Sequence, residues 1–387
     1  MQQIPLVDFF RAYYSCRKNK RTTLNALAFE LNLEENLIAL KETIDNGTYK
    51  PTNSIAFVVD QPVKREIFAA HFKDRVVHHL LIQKLNPIFE PSFIYDSYAC
   101  RKGKGTHFGI KRLDSFIRKC SKNYTKDCYV LKLDIKGFFM HINKVVLFDK
   151  IEKLLHKKYM GADKNVYLNL CKTILFHNPV HNAIIKGKRS NWEGLPKDKS
   201  LFYASPGCGL PIGNITSQVF ANVYMSSFDH FIKHDLGVAY YGRYVDDFVL
   251  VHTDKTYLKR CIPLLKSFLK KELDLQLHPK KIYLQHYSKG VAYIGGFIKP
   301  NRIYPSKRTN RNFYTTIVNT NKHITDSVKP LTALEKKMCL SKINSYLGIL
   351  GHFKSYQLRK LFLTEVLTKK VKVCFRFTTS FTKLLKR

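Results

Sequence analysis

Along residues 243–251, RYVDDFVLV, apolar, β-branched and aromatic positions alternate with a strand-like period until two adjacent acids, Asp246 and Asp247, interrupt them. Neighbouring strand residues point to opposite faces, so only a turn lets two consecutive Asp side chains converge. The pattern predicts a β-hairpin, led in by Tyr240, Tyr241 and Gly242, with the acids at its tip. Upstream, residues 129–142, YVLKLDIKGFFMHI, read as a buried strand ending at Asp134, with Leu131 and Leu133 facing the core and Val130, Lys132 and Asp134 on the other face. Helical spacing fills residues 25–44 and stops at Asn46 and Gly47, and a short strand is expected at 55–59. Residues 144–205 read as helices followed by the polar loop GKRSNWEGLPKDKS, which holds the sole Trp192 and suggests no chemistry. In GLPIGNITSQ, residues 209–218, Pro211 and Gly213 shape a turn, and Asn214, Thr216 and Ser217 offer capping oxygens to an apolar helix. Residues 261–285 read as helix, turn and strand, and from about Pro305 the chain reads as helical and basic.

The 387 residues are enough to bury a large core in several subdomains. Charge changes the picture more than size does. The 66 Lys and Arg against 29 Asp and Glu give a formal +37, a surface that attracts polyanions and binds nucleic acid by releasing counterions. A membrane-surface role is the competing explanation, but no long apolar span, signal peptide or lipidation pattern supports it, so no membrane partner is expected and the cytoplasm is the expected compartment. Nine cysteines fall singly along the chain with no CxxC pair, which argues against a zinc knuckle, an attached zinc-containing endonuclease module or a disulfide framework. Reduced thiols buried as small hydrophobes are expected.

Beside Asp246 and Asp247, Asp134 would complete a nest of three carboxylates, which repel one another strongly unless cations neutralise them. Hard oxygen ligands suit Mg²⁺, which takes one or two carboxylates and completes its shell with water and substrate phosphates. Two such ions about 3.5–4 Å apart are the usual apparatus for in-line displacement at phosphorus. The plainer reading makes Asp246 and Asp247 a surface turn and Asp134 a cap for the next segment.

In order and context, the Asp134 strand with Phe139, the segment GLPIGNITSQVFANVY and the YVDD box resemble reverse transcriptases, in the bacterial branch that includes group II intron, diversity-generating and defence-associated enzymes. The likeness runs from about Lys64 to the C-terminal helices. It implies an α+β right-hand polymerase fold: an N-terminal helical extension (1–60), fingers (61–128), a palm with an antiparallel sheet (129–300, with a helical insertion at about 144–205) and a basic helical thumb (301–387). It also implies that Asp134, Asp246 and Asp247 are catalytic and hold two Mg²⁺ ions, with Mn²⁺ as the alternative and the Ile135 backbone carbonyl as a further ligand.

The same resemblance implies roles for the nucleotide-facing residues. Lys64 and Arg65 match the fingers cation that meets a triphosphate, and Arg65 can fork onto phosphate oxygens. Phe139 matches the aromatic that closes the space of a ribose 2′-hydroxyl, against the plainer reading of a core Phe. Ile212 and Gly213 fall against the nascent base pair, where many relatives carry Gln in place of Ile212. Because Ile212 cannot donate a hydrogen bond, lower fidelity is expected. Lys280 or Lys281 matches the lysine near the departing pyrophosphate, against the plainer reading of a solvated pair. Template and primer contacts are implied for Arg75, for Arg101, Lys102 and Lys104 of a Gly-interrupted loop, for Ser217 and Gln218, and for Gly295 and Gly296 of the hairpin 291–300. For Lys64, Arg65 and Arg75, surface ion pairs with Asp74 or Glu66 are the plainer account.

The partners so implied are an RNA template, expected to be a dedicated noncoding RNA, a DNA primer or cDNA product, dNTPs, and an accessory protein or second polymerase. Antiphage defence and diversity generation fit the chain equally. An RNA-dependent RNA polymerase, a template-independent or protein-primed DNA polymerase, and a non-catalytic RNA-binding scaffold are the alternatives.

Overall fold

The computed structural model describes residues 3–18, 20–60, 63–327 and 330–387. Asn19 of the basic run 17–21, and Gln61 and Pro62, where the fingers segment is expected to begin, lie outside the described residues. The chain divides into two compact units, Met1–Gly105 with Lys132–Leu250 and Thr256–Tyr283, and Thr106–Leu131 with Val251–Lys255 and Leu284–Arg387.

The first unit opens with helices Leu6–Arg17, Leu24–Leu31 and Leu33–Asp45. The single helix expected over 25–44 is broken at Asn32, whose φ of −126° and ψ of 57° leave the helical region. Asn36 bridges the break by donating its side-chain amide to the Phe29 carbonyl at 3.0 Å, satisfying an acceptor that the interrupted helix leaves open. Strand Ile55–Val59 pairs antiparallel with Arg65–Ala69 and parallel with the short Ile184–Ile185. Helix Phe72–Phe89 follows, with Phe72, Val76, Val77, Leu80, Leu81 and Leu85 buried. Helix Ile215–His230 is buried on nearly every side, as its run of apolar and small residues requires. Its N-cap residue Asn214 makes no capping bond, because its side-chain oxygen accepts from the Ala70 amide at 3.1 Å and so ties the helix start to the end of strand Arg65–Ala69.

A four-stranded sheet runs in the order Tyr240–Tyr244, Asp247–His252, Tyr129–Asp134, Tyr283–His286. Its acid-bearing strand ends belong to the first unit. Val130 is as buried as Leu131 and Leu133, so the Asp134 strand is covered on both faces rather than one.

Two acids that could have paired with surface cations are instead buried clamps. The Asp74 carboxylate accepts from the Tyr49 hydroxyl at 2.8 Å and the Thr52 amide at 2.9 Å. Glu66, 1% exposed, accepts from Trp192 Nε1 and from the Ser200 hydroxyl, both at 2.7 Å, and from the Leu201 amide. Trp192, which suggested no chemistry, thus anchors the polar loop to strand Arg65–Ala69.

The second unit packs helices Lys307–Thr325 and Ala333–Gly351 around Phe313, Ile317, Ile343, Leu347, Phe362 and Leu363. Thr332 and Glu335 form a reciprocal capping box on the latter helix. The expected helical run ends early: Phe375–Phe377 and Leu384–Lys386 pair as an antiparallel hairpin, which suits the aromatic and Thr-rich FRFTTSFTKLL better than a helix. Asn344 fixes this hairpin by accepting from the Leu384 amide at 2.7 Å and donating to its carbonyl at 2.8 Å. All nine cysteines are free, and no helix among the described residues is long and apolar enough to cross a membrane.

Replacing Glu66 with Ala strips three donors of their buried acceptor. We expect unfolding free energy to fall by about 3 kcal/mol, read in denaturant melts followed by the single Trp192.

Candidate active site

The hairpin turns on Val245 and Asp246, between strands Tyr240–Tyr244 and Asp247–His252. Val245 sits at φ +58°, a costly conformation for a β-branched residue. Arg243 holds it there: Nη1 donates to the Val245 carbonyl at 2.9 Å. The Arg243 side chain is buried and forks onto the equally buried Asp229, Nε to Oδ1 at 2.8 Å and Nη2 to Oδ2 at 2.7 Å. The Tyr241 hydroxyl donates to the same carboxylate at 2.6 Å. Backbone bonds from the Tyr98 amide to the Arg243 carbonyl and from the Arg243 amide to the Asp96 carbonyl, both 2.9 Å, join the strand to the segment before it. The motif reading included Arg243 without a role and passed over Asp229. The available signal was an opposite pair of charges, one inside an apolar strand and one inside an apolar helix, which must meet to be buried.

Asp134, 7% exposed, ends its strand beside this turn. The Ile135 amide donates to the Asp246 carbonyl at 3.2 Å, and the His278 amide to the Asp134 carbonyl at 2.8 Å. The three acids therefore share one place, and their electrostatics register it. Burial, then the charges of Asp134 and Asp247, push the Asp246 carboxyl up to about 7. Asp247 is raised by burial, with Asp134 adding to the effect and Lys132 and Lys281 opposing it. Two ammoniums reach the cluster: Lys281 Nζ donates to Asp134 Oδ2 at 2.9 Å, and Lys132 Nζ lies 3.7 Å from Asp247 Oδ1. Burial lowers the Lys281 ammonium, but the bond to Asp134 and the charges of all three acids outweigh it and hold the pKa above its usual value. Of the expected lysine pair only Lys281 points inward; Lys280 is exposed.

The residues expected to face the nucleotide also draw together. Ile212 and Phe139 pack against one small cluster of Ala56, Phe68, Met140 and Leu201, and the Phe68 amide donates to the Ile212 carbonyl at 2.9 Å. Gly213 is required there twice over. Its φ is +129°, and a Cβ would lie 2.9 Å from Ile67 Cγ2. Arg65 begins the same strand, two residues before Ile67, and among the described residues its side chain makes no ion pair. Lys64 donates to the Glu193 carbonyl at 2.6 Å and lies 3.9 Å from Asp60.

The residues expected at template and primer are more dispersed. Arg75 is half-buried and donates to the Ala70 carbonyl at 2.8 Å. Arg101 is turned inward, with Nε on Glu90 at 2.7 Å and Nη1 on the Ile94 and Ser97 carbonyls, so it shapes its own loop rather than facing solvent. Lys104 covers the Tyr95 ring at 4.3 Å, and Lys102 is exposed. Ser217 is buried, whereas Gln218 is exposed and accepts from the Cys100 thiol at 3.1 Å. In the second unit, Gly295 has φ +96°, and a Cβ on Gly296 would lie 2.9 Å from Ile110.

The donor set fits divalent cations. Among the described residues no three His, Cys, Asp or Glu side chains form a ready-made metal cage. Mg²⁺ does not need one, since it takes one or two carboxylates and fills the remaining positions from water and phosphate. A half-buried carboxyl driven up to about 7 by desolvation and by two neighbouring acids, with ammoniums already drawn to those neighbours, is a site that favours added positive charge.

Comparison with known proteins agrees with this chemistry. A family model described as Reverse transcriptase (RNA-dependent DNA polymerase) matches residues 63–298. Protein YkfC of Escherichia coli is 20% identical over 306 residues, covering 70% of this chain and 73% of that protein. Group II intron-encoded protein LtrA of Lactococcus lactis is 22% identical over 371 residues, covering 78% of this chain and 57% of that protein. Among solved structures, apo telomerase from Candida tropicalis matches in fold with a TM-score of 0.52 and 13% identity, over 82% of this chain and 59% of that chain. The chain thus spans little more than half the length of LtrA and of that telomerase.

The raised Asp246 carboxyl has a signed consequence. Its folded-state pKa exceeds the unfolded value, so the metal-free protein loses stability as pH climbs from about 4 through 7. Asp246→Asn should remove that loss, melting roughly 3–8 °C above wild type at pH 8 and close to it at pH 4. The difference between the two proteins is the observable. The His78 and His79 rings, held down to about 4 by burial, act in the opposite direction below about pH 6.5 but equally in both.

Proposed function

The chain belongs to the reverse transcriptase (RNA-dependent DNA polymerase) family, with the right-hand polymerase fold and relatives in the group II intron-like branch, and on that premise we propose that it makes DNA on an RNA template at Asp134, Asp246 and Asp247. One observation carries the reading: acids far apart in sequence meet beside a strained hairpin turn, where burial and the neighbouring acids drive the Asp246 carboxyl up to about 7.

Asp134, Asp246 and Asp247, with the Ile135 carbonyl, would hold two Mg²⁺ ions, Mn²⁺ serving as the alternative. When bound, these supply an acidified primer 3′-hydroxyl and neutralise charge on the triphosphate. The protein's own groups do the rest. Arg65 and Lys64 bring cations to the polyphosphate, and Arg65 is the better placed because its guanidinium has no competing ion pair among the described residues. Phe139 and Ile212, locked by their shared cluster, form an apolar wall that excludes a 2′-hydroxyl by shape. Gly213 lets that wall lie directly against strand Arg65–Ala69. Lys281, already at the acids, stands where a proton or positive charge would assist the leaving pyrophosphate.

The natural template is a dedicated noncoding RNA, copied into cDNA with dNTPs by a domesticated bacterial retroelement that serves phage defence or diversification beside an accessory protein or second polymerase. The net charge of +37 supports a long RNA partner, because each phosphate neutralised adds affinity by counterion release. Arg75, Lys102, Lys104, Ser217, Gln218, Gly295 and Gly296 are the candidate contacts to template and primer, and Arg101 supports its loop from within.

Primer extension on an RNA template with dNTPs and Mg²⁺ tests the proposal. Wild type should extend the primer, and Asp246→Asn should lose about 10²- to 10³-fold or more while retaining RNA on filters. Phe139→Ala should raise rNTP incorporation relative to dNTP. Equal extension by wild type and Asp246→Asn would exclude the site. RNA binding by a wild type that extends nothing would favour a scaffold.

A further inference from the structure

We propose that Lys132 and Lys281 are resident counter-cations of the acid cluster, which neutralise it in the metal-free enzyme and yield their carboxylate oxygens to entering divalent ions, so that together they set the ion concentration the enzyme requires. This rests on the cluster being the metal site proposed above.

Both lysines are built into the backbone that carries the acids. Lys132 precedes Asp134 by two residues on the same strand, so its side chain leaves from the same face, and its ammonium reaches across to Asp247 at 3.7 Å. Lys281 arrives from the other side, on the turn before strand Tyr283–His286. That turn is fastened to the Asp134 strand by the His278 amide on the Asp134 carbonyl at 2.8 Å and the Lys136 amide on the Gln276 carbonyl at 2.9 Å, and the Lys281 amide closes it on the His278 carbonyl at 3.1 Å. Its ammonium therefore meets Asp134 Oδ2 at 2.9 Å from a fixed base. Each lysine occupies one acid, and among the described residues no ammonium or guanidinium lies within ion-pair distance of Asp246.

Three carboxylates against two ammoniums leave the cluster one charge short of neutral, with the deficit on the acid at the strained turn. This partial neutralisation does two opposite things. It lets the acids be buried together in the absence of metal, which three bare carboxylates would resist. It also places a monovalent cation on oxygens that a divalent ion must claim, because an oxygen donating its lone pair to metal has lost the directed partner that holds the ammonium. Removing either lysine should therefore loosen the metal-free fold and tighten metal binding. A lysine acting only as a structural strut would weaken both.

Electron paramagnetic resonance titration of Mn²⁺ into the full chain, beside thermal melts of the same metal-free samples at pH 8, separates these cases. Lys132→Met and Lys281→Met should bind Mn²⁺ about 3- to 10-fold more tightly than wild type while melting lower without metal, and Lys281→Arg should restore wild-type behaviour in both. Far-ultraviolet circular dichroism establishes that each variant is folded before titration. Mn²⁺ binding that is lost in Asp246→Asn but unchanged or weakened in the two Met variants would overturn the counter-cation role alone. Binding that is the same in wild type and Asp246→Asn would remove the metal site itself, and this proposal with it.

Discussion

Crowding of like charge at one end of a sheet is the constraint around which the first unit is arranged. A carboxylate at a strand end is ordinary. Burial, with two further acids within Coulombic reach, is unfavourable enough that Asp246 is driven up to about 7 even with lysines on its neighbours. Such an arrangement persists only if the surrounding structure enforces it and if added positive charge relieves it during use. In the proposed reaction that relief would come with the substrate, whose phosphates and their cations arrive together.

The enforcement comes from a second pair of charges, buried away from solvent. Arg243 and Asp229 are both essentially inaccessible to water and satisfy each other in a bidentate fork, with Tyr241, Ser97 and Asn222 completing the network. From within it Arg243 also grips the carbonyl of Val245, a β-branched residue held at positive φ. The network thus converts burial of one ion pair into the placement of one turn, and the turn into the placement of Asp246. A buried pair of this kind is weak evidence of stability taken alone, but breaking it leaves an uncompensated charge, which makes it a firm positional device.

How much of this the sequence revealed depended on how local the information was. The hairpin with acids at its tip and the strand ending at Asp134 follow from period-two patterning within a few residues, and both are present. Their side-by-side placement was readable only through motif order, because no local pattern encodes the pairing of segments so far apart. The missed features are all long-range or context-bound. Glu66 and Trp192 meet across the polar loop. Asp229 looks like any helix residue until Arg243 is buried against it. The helix over 25–44 is continuous by periodicity, yet Asn32 and the Asn36 amide break it. The final hairpin at Phe375–Phe377 was obscured by its lysines, which resemble those of the helices before it. Arg101 has the composition of a template-facing cation, but its donors serve its own loop.

The most direct measurement is a crystal structure of the enzyme with primer, RNA template, a non-reactive dNTP analogue and Mn²⁺, with anomalous scattering used to locate the metal. The account predicts two anomalous peaks at about 2.0–2.2 Å from carboxylate oxygens drawn from Asp134, Asp246 and Asp247, with the analogue's phosphates completing their shells. Anomalous density elsewhere, or a triphosphate bound away from these three side chains, would contradict it.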